Sequence, residues 1–197
     1  LLDYAGIMWG GGRNGAIHMN GHNLSITTAA GTKHKVGTAW KGVESTGLLV
    51  NGGTLELKNP GSTVIKAKDN GIHLIGDATD SANLYIQNSG EAANTVTVES
   101  EDKGIYLQSY NGAARLEIKG LVDIKARDAI VVDAGALSIG GGKITSARDG
   151  RAALYVNALS TVQINAKADG DGNIVPMHAD RDVEIHGDVQ VKGGRAA

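Results

Sequence analysis

The chain has 197 residues, a formal net charge of −2, no Cys, no Phe, and 29 Gly against 2 Pro. The lack of Cys excludes disulfides, thiolate metal centres and Cys nucleophiles. Without a basic surplus the phosphates of nucleic acid go unmatched, and no apolar run reaches the roughly 18–20 residues of a membrane helix. Hydrophobic residues make up 41% of the chain, mainly Val, Ile, Leu and Ala, enough to bury a slim aliphatic core.

Short apolar–polar–apolar triplets recur along the chain, the pattern of strands buried on one face. In chain order, Ile17-His18-Met19 reads as a first strand and Leu24-Ser25-Ile26 as a second. Leu48-Leu49-Val50 and Leu55-Glu56-Leu57 repeat the pair, as do Ile72-His73-Leu74 and Leu84-Tyr85-Ile86. A third strand, Val96-Thr97-Val98, follows. Next come Ile105-Tyr106-Leu107, Leu116-Glu117-Ile118 and a third strand at Val122-Asp123-Ile124. Ile130-Val131-Val132 and Leu137-Ser138-Ile139 lead to Ile144, where Lys143 and Thr145 compete for the inside. Leu154-Tyr155-Val156 and Val162-Gln163-Ile164 form a further pair. Val175-Pro176-Met177, Val183-Glu184-Ile185 and Val189-Gln190-Val191 close the series as first, second and third strands. The expected fold is an all-β, right-handed parallel β-helix of about seven coils with three short strands each.

A phrase at the corners supports this. It reads Lys68-Asp69-Asn70-Gly71-Ile72, Glu101-Asp102-Lys103-Gly104-Ile105, Arg127-Asp128-Ala129-Ile130 and Arg148-Asp149-Gly150. The aspartates stand 33, 26 and 21 residues apart, so equal coils carry loops of unequal length. Gly52-Gly53 and Gly140-Gly141-Gly142 are expected at corners with positive φ. Residues 76–83, 89–94, 109–114 and 168–173 are expected to protrude as loops. No window has a 3.6-residue apolar period, so no helix is expected. The chain reads as one β-helix domain, 1–197, whose first 45 residues are less regular. The stretch 27–43 and Gly10-Gly11-Gly12 predict loops or a decorated first coil. Leu1-Leu2-Asp3 carries no signal-peptide pattern and the final Gly193-Gly194-Arg195-Ala196-Ala197 no cap, so a segment of a longer protein is expected.

Three groups of residues invite a chemical reading. Glycosidic hydrolysis needs two carboxylates at a defined separation, and the outward acids Glu56, Glu117 and Glu184 lie on separate coils. No catalytic residue is assigned. Asp169-Gly170-Asp171-Gly172-Asn173 resembles a calcium loop, but Ile174 stands where such a loop needs its turn glycine. The histidines (His18, His22, His34, His73, His178, His186) form no spaced ligand set. Neither a metal nor a cofactor is expected. The outward column of the first strand is the more informative feature: His18, Leu49, His73, Tyr106, Val131, Tyr155 and then Pro176. An apolar, aromatic stripe on an outer face marks an interaction surface. The second-strand column of Ser25, Glu56, Tyr85, Glu117, Ser138, Gln163 and Glu184 is mostly polar.

The triplets, the Asp-Gly-Ile type corners, the absence of Cys and the few aromatics resemble the passenger domain of a bacterial autotransporter of the adhesin or self-associating type. The resemblance runs from about Gly15 onward. It implies display at the bacterial cell surface, reached through a C-terminal outer-membrane barrel outside this sequence. The implied role is a rigid stalk and binding surface, without a reaction, for a host or bacterial surface protein or glycan or for another copy. Phage tailspikes, carbohydrate-active β-helix enzymes and extracellular filament subunits use similar coils and remain alternatives.

Overall fold

A computed structural model describes residues 4–29, 34–36, 39–41, 45–77, 79–87, 94–110, 114–147, 152–165, 167–168, 174–175, 177–179, 183–185 and 188–192. The chain winds as a right-handed parallel β-helix, each coil giving one strand to each of three sheets. Coil one is β1 (Tyr4–Gly10), β2 (Asn14–His18) and β3 (Leu24–Thr27). A hairpin of β4 (His34–Val36) and β5 (Ala39–Lys41) leads to coil two, made of β6 (Ser45–Asn51), β7 (Gly53–Lys58) and β8 (Thr63–Ala67). Coil three is β9 (Ile72–Asp77), β10 (Ala82–Gln87) and β11 (Val96–Ser100), and coil four β12 (Lys103–Tyr110), β13 (Ala114–Ile118) and β14 (Val122–Ala126). Coil five follows as β15 (Asp128–Val132), β16 (Gly135–Gly140) and β17 (Gly142–Ser146). Coil six opens with β18 (Leu154–Val156) and β19 (Ser160–Asn165), then the short pair β20 (Lys167–Ala168) and β21 (Ile174–Val175), then β22 (Met177–Ala179). The last strands are β23 (Val183–Ile185) and β24 (Asp188–Lys192).

Sheet one runs β1-β6-β9-β12-β15-β18-β23, sheet two β2-β7-β10-β13-β16-β19-β24, and sheet three β3-β8-β11-β14-β17-β22. Among the described residues this makes six complete coils and two strands of a seventh. Every pairing within these three sheets is parallel; among the described residues only β4–β5 and β20–β21 pair antiparallel.

The alternation seen in the sequence produces the core. Each strand is short and unstable alone, but stacking satisfies its backbone groups and aligns like side chains in columns. Leu48, Ile72, Ile105, Ile130 and Leu154 stack inside sheet one. Leu55, Leu84, Leu116, Leu137 and Val162 do so in sheet two, and Ile26, Ile65, Val98, Ile124 and Ile144 in sheet three. All are buried and form one cluster. Each contributes about 1.5–3 kcal/mol of transfer free energy, offset largely by chain ordering. Ile144 faces inward and Lys143 is exposed, which resolves the competition in that strand.

Several expectations are corrected at the two ends of the stack. Ile17 and His18 belong to sheet two, opposite Leu57 and Lys58. Leu24 and Ile26 belong to sheet three, opposite Thr63 and Ile65. The first strand of coil one is β1, whose inward residues are Ile7 and Trp9, opposite Leu48 and Val50. At the far end, Val183 and Ile185 lie in sheet one and Val189 and Val191 in sheet two, each one sheet earlier than expected. Val175 is in the antiparallel β20–β21 pair and Met177 in sheet three, so this stretch is not a first strand. The physical cause is an insertion or an atypical core residue that shifts the phase without disturbing the alternation. The alternation does not mark the strand at Thr63-Val64-Ile65, because its fully buried inward residue, Thr63, is polar. Of the stretches expected as loops, 76–77 and 82–83 belong to β9 and β10, 109–110 to β12, 114 to β13 and 168 to β20.

The glycine corners divide into two physical types. Gly52, Gly53 and Gly142 have positive φ, at 76°, 79° and 135°, whereas Gly140 and Gly141 are absent from the left-handed region among the described residues. The second type is a column at the entry to sheet one: Gly6, Gly47, Gly71, Gly104, Ala129 and Ala153 stack coil on coil. A Cβ on Gly71 would lie 2.6 Å from the Gly104 carbonyl oxygen and closer still to Val98 Cγ1. The Gly of the Asp-Gly-Ile phrase is therefore a close-packing requirement between sheets three and one. The aspartate one or two residues before this position carries a second ladder, with Asp69 N–H donating to Ser45 O (3.1 Å), Asp102 N–H to Asp69 O (3.0 Å) and Asp128 N–H to Asp102 O (2.9 Å).

Candidate interaction face

The middle residue of each first-sheet triplet points away from the core, because side chains alternate along a strand. The column observed is Met8, Leu49, His73, Tyr106, Val131 and Tyr155, with Glu184 at the next register position. Five of the six residues expected on this face are therefore brought together: Leu49, His73, Tyr106, Val131 and Tyr155. His18 is not among them. It stands exposed on sheet two, and Met8, 57% exposed, takes the coil-one position. Glu184 stands where Pro176 was expected, and so leaves the second-sheet column.

The face is graded along its length. Leu49 is 1% exposed and His73 5%, although both point outward, and Leu49 lies outside the central cluster. Tyr106, Val131 and Tyr155 are each partly open to solvent. Their backbones are successive strand neighbours, so the two tyrosines are two strand spacings apart, roughly 9.6 Å, with Val131 between them.

Side chains from adjoining positions hold the first tyrosine. His73 and Tyr106 stack with ring centroids 4.6 Å apart and planes inclined by 19°. Lys103 Nζ lies 4.8 Å from the Tyr106 ring centre, within cation–π range. The Tyr106 hydroxyl donates to Asp133 Oδ2 at 2.7 Å. His73 Nε2 and Gln108 Oε1 are 3.2 Å apart. Tyr106 is thus held by three neighbours, one of which Gln108 braces in turn, and less side-chain entropy is lost when it is buried by a partner. Lys103 and Arg127 both pair with Asp102, and Arg127 also approaches Asp128. The corner charges are therefore largely neutralised within the chain.

Gln108 was legible in principle, since it follows Tyr106 by two residues and must share its face. Asp133 and Lys103 were not, because their approach to Tyr106 depends on how corners of successive coils overlap. The outward acids are occupied otherwise. Glu56 pairs with Lys58 at 3.1 Å, and Glu117 with Arg115 at 3.3 Å and Lys119 at 3.8 Å. Asp77 has its carboxyl held below the ordinary carboxylate range, first by the Thr79 hydroxyl and then by the Thr79 and Asp80 N–H groups. That turn places Asp80, whose Oδ1 accepts from Gly53 N–H at 2.8 Å, tying a loop of coil three to the corner of coil two. Among the described residues no three His, Asp or Glu side chains converge as a metal site. The stretch Asp169-Gly170-Asp171-Gly172-Asn173 lies outside the described residues.

Comparison of the chain with protein-family models, with curated proteins and with solved structures finds no match in any of the three.

Proposed function

We propose that the chain is a structural and adhesive segment of an extracellular, surface-displayed protein of the autotransporter-adhesin kind. The parallel stack serves as a stiff spacer, and the outer face of sheet one is its contact surface. The partner is a surface protein or glycan of a host or a bacterium, or another copy of the chain. The role is one of binding rather than catalysis. The observation that carries this reading is the aligned Tyr106–Val131–Tyr155 column, with Tyr106 fixed by His73, Lys103 and Asp133. Pre-ordered tyrosines supply large contact area at low entropic cost.

The test is the double substitution Tyr106→Ser and Tyr155→Ser in a chain displayed on bacterial cells. Settling of the cells and their adhesion to host monolayers are measured together. Both are expected to fall at least about tenfold, because an aromatic acting as an interface hot spot contributes about 2 kcal/mol. The purified variant should keep the far-UV strand spectrum, since both side chains point away from the core. A folded double variant that settles and adheres like the parent removes the face from the account.

A further inference from the structure

A second surface, on sheet two, has a shape and a lining of its own. At coil five the outward residues shrink to Ala136, Ser138 and Gly140. The neighbouring coils keep long side chains: Arg115 and Glu117 on β13, Thr161, Gln163 and Asn165 on β19. The result is a trough of about 290 Å³ lined by Arg115, Ala136, Ser138, Thr161 and Gln163 over the backbone of Leu116, Leu137 and Val162. It runs along β16, between rows two strand spacings apart, roughly 9.6 Å.

The walls are polar and hydrogen-bonded in one direction. Gln163 Nε2 donates to Asn165 Oδ1 at 3.0 Å, and Asn165 Nδ2 donates to Ser138 Oγ at 3.2 Å. This orientation leaves the Ser138 hydroxyl hydrogen as a donor and Gln163 Oε1 as an acceptor. On the other wall the Arg115 guanidinium lies 5.8 Å from the Tyr85 ring centre and 3.3 Å from Glu117, and its side chain is 51% exposed. Arg115 and Lys119 set two positive charges against the one of Glu117, so among the described residues this wall has one cation in excess.

These features select among occupants. A helix, about 10–12 Å across, is too wide. An added peptide strand needs a free sheet edge, and β16 is paired on both sides. A narrow, hydroxyl-rich chain fits the width and the alternating donors and acceptors, and a carboxylate on it would answer the excess cation through charge-assisted bonds to Arg115. We propose that this trough binds an acidic glycan, a uronate-bearing chain lying along β16 with its carboxylate at Arg115. The proposal is independent of the sheet-one face.

The probe is a polygalacturonate oligomer titrated calorimetrically into the chain, with dextran of matched length as the uncharged control. Binding of the acidic oligomer is expected, weakening as salt rises. Ala136→Trp should abolish it by filling the trough. Arg115→Gln should weaken it by about tenfold, the scale of a lost charge-assisted pair. The Tyr106→Ser, Tyr155→Ser variant should bind as the parent does. The two side chains at 136 and 115 point outward, so retained strand spectra are expected for both variants. No binding by the parent, equal binding of dextran, unchanged binding by folded Ala136→Trp, or loss in the tyrosine variant would each overturn the proposal.

Discussion

Gly71→Ala is expected to destabilise the chain by about 2–3 kcal/mol, the scale of overpacking in a close-packed core. The sign makes this informative. At a position an Ala can occupy without strain, Gly→Ala ordinarily stabilises by about 0.4–1 kcal/mol, because it restricts the unfolded chain. Gly71 is not in a left-handed conformation among those described, so backbone strain offers no reason for a loss. The reason is space. The new methyl would meet Val98 Cγ1 from sheet three of its own coil and the Gly104 carbonyl of the next coil at 2.6 Å. Neither can retreat, since Val98 is fully buried and paired on both sides, and Gly104 is part of the sheet-one ladder. Equilibrium urea unfolding of the parent and variant measures the difference. A neutral or stabilising substitution would mean that the corner is looser than described. The reciprocal position is Ala129, whose coil already accommodates a Cβ at the same register.

Leu84→Ala is expected to cost about 2–5 kcal/mol, by lost transfer free energy and the cavity left behind. Leu84 is fully buried on β10, between Leu55 and Leu116. In a solenoid each coil contacts only its neighbours, so a void in coil three weakens both adjacent interfaces and cannot be shared across a wide core. The control is one residue along. Tyr85→Ala removes a larger side chain, but from the outer face, where it is partly exposed and lies near Arg115. A loss of about 1 kcal/mol or less is expected there, the range of cross-strand surface pairs. The contrast between consecutive residues tests strand parity directly. Equal losses at both positions, read by the same urea titration, would contradict it.

The fold was legible because its determinants are local and repeated. Leu-x-Leu and Ile-x-Ile triplets assign inside and outside without reference to any partner, and most of the outward column followed from them. What was not legible was phase. Ile17-His18-Met19 has the same pattern whether it belongs to sheet one or sheet two. The strand that would have set the count, β1, carries Trp9 where later coils carry Val50, Leu74 or Leu107. That indole packs on Gly15, where a Cβ would fall 2.7 Å from its ring, and donates Nε1–H to the Arg13 carbonyl at 2.8 Å. Coil one thus solves the same interior with a large ring beside a glycine, a combination that alternation cannot announce. The same limit applies to function. Period two shows that Tyr106 faces outward; only the overlap of coils shows that Asp133 and Lys103 hold it. The sheet-two trough depends on Ala136 and Ser138 falling between rows of longer residues, a relation among three distant segments.

A parallel stack requires equal vertical steps between coils in register, and the absence of Cys lets those steps be measured without background. Spin labels on cysteines introduced at Glu56 and at Ser138, Gln163 or Gln190 sample one outer column of sheet two. Double electron–electron resonance should give separations rising by roughly 4.8 Å per coil, to about 14, 19 and 24 Å for three, four and five steps. Separations that fail to increase in that order, or that cluster at one value, would contradict the parallel stack and both binding surfaces built on it.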